Sequence, residues 1–151
     1  MSAENKTLIR RFFKEVWSKG KLAVADQIVA ANYANHDPAG PMPEPGREGL
    51  KKHVTAYRTA FPDLTFTIDD VLAEGNKVTV RWTSRGTHEG VVMGIAPTGK
   101  QITLTGISVH RITSGKVTES WVTWDTLGMM QQLGAIPAVG QATEQAASAT
   151  Q

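Results

Sequence analysis

The chain has 151 residues, 16 of them basic and 14 acidic, for a formal net charge of +2. The basic residues are scattered, which excludes a nucleic-acid or membrane-surface footprint, and a 40% hydrophobic, 20% charged composition suits a soluble globular protein. The absence of cysteine excludes disulfides, thiolate nucleophiles and zinc–thiolate sites.

The N-terminal stretch "MSAENKTLIRRFF" lacks an apolar signal core, and no run approaches a membrane span, so a cytoplasmic location is expected. From Asn5 the segment "NKTLIRRFFKEVWSKG" spaces Ile9, Phe12, Phe13, Val16 and Trp17 as one face of a helix that Gly20 can terminate. A second helix is predicted over "KLAVADQIVAAN", Lys21 to Asn32. Four prolines and two glycines in "HDPAGPMPEPG" then exclude helix and central strand, and predict a stiff loop at a rim. A third helix is predicted from about Arg47 to Phe61, with Leu50, Val54, Tyr57 and Phe61 as its apolar stripe and Pro62 as its stop.

Beyond Pro62 the period changes to two. Strands are predicted over Leu64–Ala73, Lys77–His88, Gln101–Ile112 and Val117–Trp124, with hairpin turns at "EGN" and "TSGK". A short helix over Leu127–Leu133 ends the pattern. Residues 138–151 are small, polar and aperiodic, and read as a disordered tail after one domain over residues 1–137. Helices before antiparallel strands make an α+β fold, with helices on the concave face of a curved sheet and a conical cavity between them. Such a cavity suits a small ligand.

Two readings of Asp125 stand side by side. It can cap the helix that follows, or it can be a general base at the narrow end of the cavity, with its proton affinity raised by desolvation among Trp121, Trp124 and Leu127. His110, in the middle of a strand, is either a hydrogen-bonded structural residue or a proton relay near Asp125. His36 either braces the Asp37–Pro38 turn or closes over a ligand at the rim. His53 reads as a boundary residue of the third helix and His88 as peripheral. Trp17, Trp82 and Trp121 are expected in the core or cavity wall. No histidine pair has metal-ligand spacing, and His36, Asp37, His110 and Asp125 could form a metal site only by converging from distant positions. No metal is expected.

The order of these elements, with "NHDP", "AFPDL", "GTHEGVVMGIAPTGK" and "GISVHRITSGKVTESWVTWDTLGMMQQLG" in sequence, resembles the SnoaL-like polyketide cyclase (ester cyclase) family of the nuclear-transport-factor-2-like superfamily. The likeness covers nearly the whole chain to Ile136. It implies a cone-shaped α+β barrel and an intramolecular aldol cyclisation with no cofactor. It further implies Asp125 as catalytic acid/base, His110 as its assistant, His36 as a rim histidine, and Tyr33 as a pocket neighbour; with Trp17, Trp82 and Trp121 these last two complete the expected substrate-binding set. The expected partner is a small hydrophobic carbonyl compound. A homodimer or higher homo-oligomer is expected through the outer sheet face, where Arg81, Thr83 and Arg85 lie. Two alternatives remain open: a non-catalytic small-molecule-binding or dimerising module, and a hydrolase in which the aspartate activates water.

Overall fold

A five-stranded sheet in the order β1-β5-β4-β3-β2 forms the body of the structure, a computed structural model that describes residues 2–137. The elements are α1 (Ser2–Arg11), a π-helical segment (Phe12–Ser18), α2 (Leu22–Ile28), β1 (Val29–His36), α3 (Gly46–Ala60), β2 (Thr65–Glu74), β3 (Lys77–Thr87), β4 (Gln101–Thr113), β5 (Lys116–Trp124) and α4 (Thr126–Gln132). The long antiparallel strands begin and end close to where the period-two pattern places them. The residues expected as a tail, 138–151, lie outside the described region. Among the described residues no helix is long and apolar enough to cross a membrane.

Two expectations are corrected. The predicted second helix stops at Ile28, and the chain continues as β1, paired parallel to β5 through Asn35 opposite Ser120 and His36 opposite Trp121. The sheet does not close into a barrel: β1 and β2 each pair on one side only, so both are edges.

The helical N-terminus changes pitch at Phe12. In a π segment the hydrogen bonds run five residues back, as Lys19 N–H to Lys14 O does here. The wider turn lets the adjacent Phe12 and Phe13, together with Trp17, reach the same cavity. Arg58 of α3 fixes the end of this segment. Its guanidinium donates to the carbonyls of Trp17 (3.0 Å), Ser18 (2.7 Å), Pro62 (3.0 Å) and Leu64 (2.9 Å), tying the π segment to the start of β2.

The β4–β5 hairpin shows how the turn residues set register. Ser114 and Gly115 have φ of 52° and 72°, the left-handed pair that a two-residue type I′ turn demands. That turn puts His110 opposite Ser120, Ser108 opposite Val122, and Gly106 opposite Trp124 on the inward face. On β3 the inward set is Val78, Val80, Trp82 and Ser84, all buried. Burial of each large side chain here contributes about 1.5–3 kcal/mol.

Gly106 has no side chain because Trp82 lies across it. A β-carbon there would come within 2.2 Å of the indole ring. Gly106→Ala should therefore overpack the cavity floor and lower unfolding free energy by about 1–3 kcal/mol in a urea titration.

Candidate functional site

A cavity of about 90 Å³ lies between the inward sheet face, the π segment and α3. Phe12, Phe13, Trp17, Phe66 and Trp82 form most of its apolar wall. The edge-to-face contacts Phe13–Phe66 (5.7 Å) and Phe66–Trp82 (5.1 Å) hold these rings in place. Toward the surface the cavity borders an outer cleft under the proline-rich loop, and His53 and Tyr57 line both spaces.

Among the described residues, Asp37 is the one acidic side chain on the cavity wall, and no lysine or arginine shares that wall. The Asp–Pro dipeptide turns the chain, and the carboxylate closes that turn on itself: Oδ1 accepts from the backbone N–H groups of Ala39 (2.9 Å) and Gly40 (3.3 Å). Oδ2 accepts from the indole Nε1–H of Trp124 (2.9 Å), which brings a residue 87 positions away onto the same carboxylate. An ionised carboxylate has about four acceptor sites. Three are in use here, so one remains on Oδ2, the oxygen shared with the cavity-lining indole.

Beside Asp37 stand His53 and Tyr57, one helical turn apart on α3 with rings 5.0 Å apart. Burial lowers the His53 pKa, partly opposed by the charge of Asp37, so the imidazole is neutral near pH 7. Burial and the same negative charge push the Tyr57 hydroxyl up to about 12. Among the described residues, neither side chain has a hydrogen-bond partner.

A second polar group lies deeper. His110 is buried between Ser108 (Nε2 to Oγ, 2.8 Å) and Ser120 (Nδ1 to Oγ, 2.6 Å), with Phe12 and Phe13 packed edge-on against its ring. Burial drives its pKa down to about 3, so it is a neutral imidazole whose two nitrogens are both engaged. Tyr33 is buried next to it, with its hydroxyl 3.4 Å from Asn35 Oδ1. Burial raises the tyrosine pKa, and the Ser120 hydroxyl opposes that shift.

The structure brings Tyr33, Trp17, Trp82 and His110 onto one cavity wall. It places three other expected site residues elsewhere. Asp125 is exposed, is absent from the cavity wall, and spends Oδ1 on the Gly128 N–H (2.8 Å) as the cap of α4. His36 and Trp121 point to the outer sheet face, where they stack (5.4 Å, 23°). There His36 Nε2 meets Glu119 (2.7 Å), and Arg111 pairs with Glu119 while lying over the Trp121 ring. His36, Asp37, His110 and Asp125 do not converge, and among the described residues no group of three or more acidic, histidine or cysteine side chains could hold a metal ion. The sequence reading missed Asp37 as a cavity group and passed over His53 and Tyr57. The Asp–Pro turn and the α3 stripe were the available signals.

A curved α+β sheet with helices over one face and a ligand-sized hollow between them defines the class, and comparison places the chain within it. The model of the SnoaL-like polyketide cyclase family matches residues 7–133, and the chain belongs to that family. Among solved structures, a proposed polyketide cyclase from Acidithiobacillus ferrooxidans is 34% identical (TM-score 0.78, covering 87% of this chain and 95% of that one). IdmH of Streptomyces antibioticus, also a proposed polyketide cyclase, is 30% identical (TM-score 0.75, 86% and 98%). TsrD of Streptomyces laurentii is 28% identical (TM-score 0.80, 89% and 97%). A search of curated proteins finds no match.

Proposed function

We propose that this protein is a cyclase that closes a ring by proton transfer at a carbon flanked by two carbonyl groups, with Asp37 as the acid/base in place of Asp125. The observation that carries this reading is a single carboxylate, oriented by two backbone amides and an indole, on the wall of a cavity with no cationic side chain. Asp37 Oδ2 takes the proton from the doubly activated carbon, leaving an enolate. That carbon attacks a third carbonyl, further along the same molecule, and forms the new C–C bond. The resulting alkoxide receives the proton back from the Asp37 carboxyl, so nothing is oxidised or reduced. The aromatic wall holds both ends of the chain near each other and makes closure an oriented intramolecular step.

A wall of this kind favours an uncharged aromatic carbonyl compound such as a polyketide ester. The neutral His110, engaged by two serines, serves in this reading as a fixed polar contact rather than a base. Pairing of two copies through the outer sheet face is part of the same proposal, since Ile107 and Leu72 are exposed there among Arg81, Arg85 and Trp121. Light scattering should then give twice the mass of the chain.

The function is tested in deuterated water with aromatic 1,3-dicarbonyl esters that carry a further ketone or aldehyde within ring-closing reach. The protein should accelerate deuterium uptake at the central carbon and release a cyclised isomer of unchanged mass apart from deuterium. Binding without exchange would favour the non-catalytic module, and incorporation of labelled solvent oxygen would favour the hydrolase.

A further inference from the structure

Among the described residues, the Tyr57 hydroxyl is an unpaired donor next to the proposed base. α3 carries Leu50, His53 and Tyr57 along its cavity side, the spacing of one helical stripe, and Phe61 just past its end continues the lining. The Tyr57 ring is held by Trp124 (6.4 Å, 88°), His53 (5.0 Å, 77°) and Trp17 (6.3 Å, 59°). With the ring fixed, the hydroxyl reaches beneath Gly40. A β-carbon built on Gly40 would lie 2.7 Å from the Tyr57 oxygen and 3.7 Å from Asp37 Oδ2. The two oxygens therefore flank one small volume at the threshold between inner cavity and outer cleft. They do not bond to each other, and Trp124 binds both, through its Nε1–H to Asp37 and through its ring to Tyr57.

We propose that Tyr57 is a catalytic residue: its hydroxyl donates a hydrogen bond to the carbonyl oxygen next to the carbon that Asp37 deprotonates, and so stabilises the enolate. This rests on the cyclase reading above. The proton leaves carbon for Asp37 Oδ2, the electron pair moves onto the carbonyl oxygen, and that oxygen strengthens its bond to the Tyr57 O–H as charge develops. Burial and the Asp37 charge keep the phenol protonated to about pH 12, so the donor is present throughout the working range. A preorganised donor facing developing charge acts mainly on the transition state. The geometry also orients the substrate, with its apolar ring inward against Phe66 and Trp82, its reacting carbonyl at the threshold, and any further chain in the cleft under Pro41 and Pro43.

Tyr57→Phe leaves the ring contacts in place and removes a hydroxyl that bonds nothing among the described residues. It should lower kcat by about 10²-fold with KM within about threefold. A turnover-free measurement separates the donor from mere packing. Asp37→Asn mimics the protonated acid that coexists with the enolate, and 4-nitrophenolate, read by its absorbance, mimics the enolate. Adding Tyr57→Phe to Asp37→Asn should weaken 4-nitrophenolate at least tenfold and 4-nitroanisole by less than about threefold. Equal weakening of both ligands would reduce Tyr57 to a packing residue and overturn the proposal. If neither ligand bound the wild type or Asp37→Asn, the aromatic carbonyl reading itself would fall, and this inference with it.

Discussion

Asp37→Asn should lower turnover by about 10³-fold, within the range of a lost general base, while Asp125→Asn should change it by less than about threefold. The asymmetry follows from where the two carboxylates are held. Asp37 lies on the cavity wall and keeps an acceptor site on Oδ2. Asp125 is exposed, and asparagine caps a helix as well as aspartate does. The Asp37 variant will also be slightly less stable. Its carboxylate accepts on both oxygens from three N–H donors, whereas an amide must present N–H to one of those sets. The mismatch should cost about 1–2 kcal/mol, too little to abolish folding. Thermal melts and steady-state kinetics on both variants decide the matter. Asp125→Ala, by contrast, should remove about 1 kcal/mol of stability through loss of the cap and leave kcat in place. Full activity in Asp37→Asn, with activity lost in Asp125→Asn, would reverse the assignment.

The strands and α3 were legible because their periodicity is strong: Val78, Val80 and Trp82 alternate cleanly, and the Pro62 stop falls where the helix ends. β1 was not. "VAANYANH" carries little β-branched or alternating character, and it becomes a strand because β5 offers it a parallel edge. The same period-two logic, pressed further, sorts which side chains face the cavity. Trp121 and Trp124 are three apart on one strand and so face opposite sides; only Trp124 turns inward. Tyr33 and His36 divide in the same way. With Trp124 inward and the strand ending, Asp125 falls outside the cavity and at the first position of a helix, where capping is the stronger demand. Asp37 could be read as a turn residue from its proline. Its aim into the cavity depends on the Trp124 indole, a contact across 87 residues that no local pattern encodes.

The largest stability effect should come from acid, through His110. Its folded pKa is depressed to about 3 from the ordinary 6.5, because burial against Phe12 and Phe13 penalises the charged imidazolium. The unfolded chain therefore takes up this proton as the pH falls through about 6.5, and the folded chain does not until about pH 3. A group that binds its proton more readily when unfolded contributes full stability above the unfolded pKa and loses it on acidification. For the shift to about 3, the loss between pH 7 and pH 5 is about 2 kcal/mol, and it grows further toward pH 3. His53, also lowered by burial, adds in the same direction. The acidic residues with lowered pKa values, Glu15, Asp26 and Asp63, start from 4.5, 3.8 and 3.8 and lose their contribution only below that interval. Urea titrations at pH 7 and pH 5 should thus show the wild type losing at least 2 kcal/mol, and His110→Asn losing about 2 kcal/mol less over the same step. The variant starts lower, since asparagine cannot span Ser108 and Ser120 as the imidazole does, so the slopes rather than the absolute values carry the comparison. Parallel slopes for the two proteins would mean that His110 is solvated or charged in the folded state, and the neutral polar contact assigned to the cavity floor would have to be abandoned.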